Sequence, residues 1–128
     1  MVKGIHKVVL DVADQERAKQ FWTKTMGFEL VQDAEYGHER WLEVCAPDRS
    51  VSLVLGRTSA GPGDPAAVPA ALPTSNVFFY CDDLPRTFEG LAARGVVFPQ
   101  PPVRQPWGWW SMFEDGEGNR FALGQRAA

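Results

Sequence analysis

A lysine and an asparagine stand at equivalent places in the two halves of this 128-residue chain. Lys7 and Asn76 lie 69 residues apart, and each comes at or near the start of an apolar run. If both side chains reach one cavity, the ammonium and the amide would hold an anionic or carbonyl oxygen of a ligand by charge-assisted hydrogen bonds. The alternative for Lys7 is an ion pair with an acid such as Asp11 or Glu43. Catalysis by Lys7 would require the ammonium to lose its proton.

Tryptophan is the second group with binding chemistry, with five residues in 128. Three of them crowd residues 107–114, and Trp41 lies in another apolar run. Because successive side chains of a strand point to opposite faces of the sheet, Trp110 and Met112 are expected on the face opposite to Phe113. Flat, rigid aromatic side chains suit planar ligands. The alternative is that these tryptophans fill the core or a dimer interface, where tryptophan is also enriched.

The elements that position these residues come from an internal duplication. Residues 10–28 and 79–96 each read as an apolar strand ending in an acid, an amphipathic helix, a glycine and a second apolar run. Each aspartate is expected to cap a helix, and each glycine to end one. The pairs are Asp14 with Asp83 and Gly27 with Gly95. The helical spacing also predicts that Trp22 is a core residue.

The pattern predicts an α+β fold of two tandem βαβββ modules in a single domain, residues 1–128. The first module covers 4–56, a linker rich in Pro, Gly, Ala and Ser covers 57–75, and the second module covers 76–125. Residues 33–37 are predicted as a turn. Residues 96–98 are predicted as a short strand, followed by a Pro-rich edge or loop.

Composition excludes several classes of partner. The 13 basic and 16 acidic residues are interspersed and give a net charge of −3, so no basic stripe for nucleic acid is expected. No apolar run approaches the roughly 20 residues that span a membrane. The N-terminal sequence lacks the features of a signal peptide, so a cytoplasmic location is expected. Cys45 and Cys81 are expected to be unpaired in that compartment.

Two strings resemble a known family. Residues 14–28 (D-x-x-x-A-x-x-F-W-x-x-x-x-G-F) and 106–123 (PWGWWSMFEDGEGNRFAL) are similar to the vicinal oxygen chelate superfamily, which contains glyoxalases, bleomycin resistance proteins and extradiol dioxygenases. The resemblance covers essentially the whole chain, with Gly116 where a proline is usual. It implies curved mixed sheets with helices outside, and a homodimer. It also implies that Phe113 packs against the helices, which leaves Trp110 and Met112 facing a concave cavity.

The family's chemistry rests on a divalent metal, and the resemblance identifies the positions of its ligands. They are typically His or Gln in the first strand of each module and Glu in the last. In this sequence the positions in the two first strands hold Lys7 and Asn76. In the last strands, the segment 51–55 contains no carboxylate, and Ala122 stands in place of the second glutamate. A protonated ammonium is not a metal ligand. We therefore expect no metal cofactor. The alternative is a strand register shifted by one residue, with His6 as a ligand.

Two functions remain open at this point. The first is metal-free sequestration of a small planar or aromatic metabolite or antibiotic, as in bleomycin resistance proteins. Its predicted binding residues are Lys7, Trp41, Asn76, Trp110 and Met112. The second is a metal-dependent enzyme of glyoxalase, lyase or dioxygenase type. The missing ligand set favours the first, because sequestration needs only complementary surface and hydrogen bonds.

Overall fold

The structure, a computed structural model, describes residues 1–37, 39–56, 73–75 and 77–125. The chain divides into two compact units, Met1–Pro62 and Gly63–Ala128. Most of the predicted linker, together with His38 and Asn76, lies outside the described residues.

The first unit contains one four-stranded mixed sheet in the order β1-β4-β3-β2. Strand β1 is parallel to β4, and the other neighbours are antiparallel. Its elements are β1 (Lys7–Asp11), α1 (Gln15–Gln20), a π-helical turn (Phe21–Thr25), β2 (Glu29–Tyr36), β3 (Glu39–Cys45) and β4 (Ser52–Gly56).

The second unit repeats this arrangement, with the order β5-β8-β7-β6 and a parallel β5–β8 pair. Its elements are β5 (Phe78–Cys81), α2 (Leu84–Ala93), β6 (Val97–Gln105), β7 (Gly108–Glu114) and β8 (Arg120–Gln125). The predicted α+β fold of two tandem βαβββ modules is confirmed. None of the helices among the described residues has the length and apolar character needed to cross a membrane.

Both helical segments, the first of which includes the π-helical turn after α1, begin and end where the sequence predicted. The Asp14 carboxylate accepts a hydrogen bond from the backbone N–H of Arg17, and Asp83 does the same for Arg86. These bonds satisfy N–H groups that a helix N-terminus otherwise leaves unpaired. Beyond the helix ends, Gly27 and Gly95 have φ values of 80° and 92°. That backbone conformation has no steric penalty for glycine.

Each sheet buries an apolar face against its own helix. In the first unit Trp22 is fully buried, and its ring lies 5.1 Å from that of Phe28. In the second unit Phe98 joins the helix to the sheet, because its ring lies 4.8 Å from Phe88 of α2 and 6.2 Å from Phe113 of β7. The predicted core position of Trp22 and the packing of Phe113 on the helix side are both confirmed. Cys45 and Cys81 are free thiols.

One element prediction was wrong, and another gave a strand that was too short. The turn predicted at 33–37 is the second half of β2, which pairs with β3 as far as Tyr36 opposite Glu39. The short strand predicted at 96–98 extends to Gln105. Its prolines are tolerated because β6 is an edge strand, and its pairing with β7 shifts register on both sides of Gln100.

A charged cluster ties α1 to the first sheet and gives a pH-dependent prediction. The pKa of Asp33 is held well below its usual range because Arg40 donates two hydrogen bonds of 2.8 Å to it and Lys19 donates a third of 2.9 Å. The unfolded carboxylate therefore binds a proton more tightly than the folded one. The resulting stabilisation is present above pH about 5 and is lost progressively as the pH falls below about 4 toward the lowered pKa of the folded carboxylate.

We expect Asp33→Asn to lower the free energy of unfolding by about 1 kcal/mol at pH 7. The difference from the wild type should shrink by pH 3, as measured by urea unfolding at both pH values. Glu29→Gln is the control, because its ion pair with Arg49 is mostly exposed at both ends and should contribute little. A difference for Asp33→Asn that is equal at both pH values would contradict this account.

Candidate functional site

One face of the first sheet is covered by α1, and the other carries the candidate binding residues. Gln15 of α1 donates hydrogen bonds to the backbone oxygens of Arg40 and Leu55, and Arg40 also pairs with Glu16. Alternation along β3 therefore places Trp41 and Glu43 on the opposite side of the sheet from Arg40. We call this side the helix-free face of the first sheet. It carries Lys7, Gln32, Ala34, Tyr36, Trp41, Glu43, Ser52 and Val54.

Glu43 is the centre of this face. Its Oε1 atom accepts hydrogen bonds from Lys7 Nζ at 2.7 Å and from Trp41 Nε1 at 3.0 Å. Ser52 also hydrogen-bonds to the carboxylate. The Glu43 side chain is only 4% exposed. One buried carboxylate thus fixes the positions of an ammonium and an indole at the same time.

The hydrogen bonds keep Glu43 ionised despite its burial. Desolvation alone would raise the pKa of Glu43, but the hydrogen bonds from Lys7, Trp41 and Ser52 outweigh it, so that the pKa is lowered. A carboxylate in this state is a weak base, and it already accepts a hydrogen bond from Lys7. The pair suits the binding and orientation of a ligand better than proton abstraction or attack by a lysine amine.

Trp41 offers the flat surface beside this charge pair. Trp41 is 38% exposed, and Lys7 Nζ lies 5.5 Å from the centroid of its ring. That distance is within the range of a cation–π contact. Because the indole N–H is bound to Glu43, the ring has a fixed orientation while part of its surface stays accessible. Such a ring is preorganised for contact with another flat group.

The second sheet also has a helix-free face with aromatic side chains. Trp110 and Met112 alternate with Phe113 and so lie on the side away from α2. In the strand register Tyr80 pairs with Gly124, and Gly124 pairs with Trp110. Tyr80 and Trp110 are therefore two strand spacings apart, about 10 Å, and Gly124 contributes no side chain between them.

The structure brings together some of the predicted binding residues. Lys7 and Trp41 are neighbours in the first unit, joined through Glu43. Trp110 and Met112 share a face in the second unit, where Met112 is fully buried. Asn76 is outside the described residues. That these five residues line a single pocket stays a prediction.

Sequence reasoning named Glu43 only as an alternative partner of Lys7 and did not consider Tyr36 or Tyr80 as binding residues. Period-two alternation could have placed Glu43 beside Trp41, because the two are separated by one residue in β3. Tyr36 was missed because its segment was predicted as a turn. The pairing of Tyr80 with Gly124 depends on a contact between distant strands, which no local pattern shows.

The side chains at the family's metal positions do not fit a divalent ion. The Lys7 ammonium donates to Glu43 and has no lone pair to offer. Strand β4 contains no carboxylate, and Ala122 presents only a methyl group. In the parts of the chain that the structure describes, no group of three or more His, Cys, Asp or Glu side chains could hold a metal ion. A metal-free site stays a prediction.

The fold and the sequence together define the class of protein. Two βαβββ units, each with a mixed sheet and one covering helix, form the architecture of the vicinal oxygen chelate proteins. The chain belongs to the Glyoxalase/Bleomycin resistance protein/Dioxygenase superfamily, whose family profile matches residues 4–123.

Solved structures and curated sequences from bacteria resemble nearly the whole chain. TnmS3, an antibiotic binding protein from Streptomyces sp. CB03234, is 32% identical, with a TM-score of 0.81 and 98% of each chain covered. A glyoxalase/bleomycin resistance protein from the same organism is 33% identical, with a TM-score of 0.74 and coverage of 95% of this chain and 100% of that one. The uncharacterized protein YetH of Bacillus subtilis (strain 168) is 34% identical, over 96% of this chain and 98% of its own length.

Proposed function

We propose that this protein binds a small flat aromatic molecule, a metabolite or an antibiotic, and holds it without chemical change and without a metal ion. The observation that carries the proposal is the arrangement around Glu43. A buried carboxylate holds the Trp41 indole and the Lys7 ammonium in fixed positions, and both side chains remain partly exposed. A preorganised aromatic surface with a hydrogen-bond donor beside it is the usual composition of a small-molecule site.

Two further observations support binding rather than catalysis. The positions that hold the metal in catalytic relatives carry a paired lysine and a methyl group, which suit neither metal ligation nor Lewis-acid chemistry. In addition, TnmS3, which is similar over nearly its whole length, is an antibiotic binding protein. The family resemblance also supports a homodimer as the working form.

We expect Trp41→Ala to weaken ligand binding by about 2 kcal/mol, which is roughly thirtyfold in Kd, because an anchoring indole would be lost. A thermal-shift screen of polycyclic aromatic compounds and antibiotics identifies the ligand, and isothermal titration calorimetry then gives its Kd. Trp110→Ala, measured in the same way, tests separately the predicted binding role of Trp110. Trp107→Ala is the matched control, because Trp107 is 68% exposed in the turn between β6 and β7.

Two outcomes would contradict the proposal. One is an equal loss of affinity in the Trp41 and Trp107 variants. The other is purified protein that retains stoichiometric Fe, Zn, Ni or Mn after desalting, because the enzyme alternative would then account better for the family membership.

A further inference from the structure

The charge that a ligand meets on the helix-free face of the first sheet is not that of a lone lysine. Lys7 Nζ lies 2.7 Å from Glu43 Oε1, and the Glu43 side chain is almost completely buried. The Lys7 side chain is 33% exposed, so the ammonium still reaches the surface. Among the described residues Glu43 is the one acceptor bonded to the ammonium, which has three N–H donors. A donor is therefore available to a ligand, but the ion pair as a whole is neutral.

Because the ion pair is neutral, the kind of ligand oxygen determines how favourable its hydrogen bond to Lys7 is. An anion hydrogen-bonded to Lys7 on the side away from Glu43 would lie about 5 Å from the carboxylate. Because Coulomb energy falls with distance, that repulsion cancels roughly half of the attraction to the ammonium. The anion would still lose its hydration, which is costly. A carbonyl oxygen gains a charge-assisted hydrogen bond at a much smaller desolvation cost.

The surroundings of Trp41 indicate what the oxygen is attached to. Ala34 lies directly opposite Trp41 on the neighbouring strand, so the side chain across from the indole is a single methyl group. Tyr36, two residues further along the same strand and face, is exposed, and its hydroxyl accepts a hydrogen bond of 2.8 Å from Gln32. Cross-strand diagonal neighbours lie about 7–8 Å apart, within reach of aromatic side chains. A flat ring against Trp41 thus has a second aromatic group nearby.

We propose that the Lys7–Glu43 pair makes this face selective for flat aromatic ligands that carry a neutral acceptor oxygen, such as a ketone, quinone or amide carbonyl, over those that carry a carboxylate. This inference rests on the proposed binding function and deepens it by naming the ligand class. It also chooses between the anionic and the carbonyl oxygen that the sequence left open as partners of Lys7.

Two probes with the same ring and nearly the same shape test the proposal. Calorimetry or ligand-observed NMR measures the binding of 2-acetylnaphthalene, a neutral ketone, and of 2-naphthoate, its carboxylate analogue. Wild-type protein should bind the ketone roughly tenfold more tightly or better. Glu43→Gln keeps the shape and an acceptor oxygen but removes the compensating charge. This variant should shift the ratio of the two affinities toward the carboxylate by about tenfold.

The control is Glu39→Gln, which removes the same charge from the same face of the same strand. Glu39 is exposed and lies two strand positions beyond Trp41, so its loss should leave the ratio within about twofold. Wild-type protein that binds naphthoate as tightly as the ketone, or more tightly, overturns the selectivity while the proposed function stands. Failure of wild-type protein to bind either probe at millimolar concentration counts against both. Because the comparison on wild-type protein decides by itself, the test survives poor folding of a variant.

Discussion

Trp22→Ala is expected to lower the free energy of unfolding by about 4 kcal/mol, the typical cost of truncating a fully buried tryptophan. Trp22 lies in the π-helical turn after α1 and has no exposed surface. Its ring lies 5.3 Å from that of Phe21 and 5.1 Å from that of Phe28, and its backbone oxygen accepts a hydrogen bond from the Phe28 N–H. Truncation would therefore leave a cavity where the helix passes into β2.

Urea unfolding followed by circular dichroism measures this effect at fixed protein concentration. Trp107→Ala removes the same side chain from an exposed turn and should change the free energy of unfolding by less than about 0.5 kcal/mol. A loss below about 1.5 kcal/mol for Trp22→Ala would mean that the cavity collapses or that the site packs less tightly than the structure shows.

The fold was predictable from the sequence because its signals are local and occur twice. Asp14 and Asp83 each precede an amphipathic helix, and a glycine at the end of each helix has positive φ. Trp22 could be identified as core from helical spacing alone. The errors concern β2 and β6, where pairing within the sheet overrides the turn propensity of the local sequence. Partner strands impose extended backbone on residues 33–36, and an edge position tolerates the prolines of β6.

The candidate site was less predictable, because its chemistry comes from contacts between strands. Lys7 belongs to β1, Ser52 to β4 and Glu43 to β3, so their cluster exists only after three strands have paired. The sequence left open whether Lys7 faces a ligand or an acid. The structure shows that Lys7 bonds Glu43 and keeps part of its side chain exposed, and its contact with a ligand stays a prediction. No pattern within one strand contains that information.

The same cluster yields the second large effect on stability. Glu43→Ala is expected to lower the free energy of unfolding by about 3 kcal/mol, because removal of the buried carboxylate leaves one buried and two partly buried donors without their acceptor. The Trp41 N–H and the Ser52 hydroxyl would both lose the carboxylate, and Lys7 would lose its counter-charge. Glu29→Ala is the control, because Glu29 forms its ion pair with Arg49 at the surface and should cost less than about 1 kcal/mol.

The pH dependence of this effect separates loss of the charge from loss of packing. The hydrogen bonds that lower the pKa of Glu43 in the folded chain make its carboxylate harder to protonate than in the unfolded chain. Its contribution is therefore present above the ordinary glutamate pKa of about 4.3 and is lost as the pH falls below it. The cost of Glu43→Ala, measured by urea unfolding, should decrease between pH 7 and pH 3. A cost that stays constant would show that Glu43 stabilises the sheet by packing alone, and the charge pair on which the ligand selectivity depends would contribute nothing to the fold.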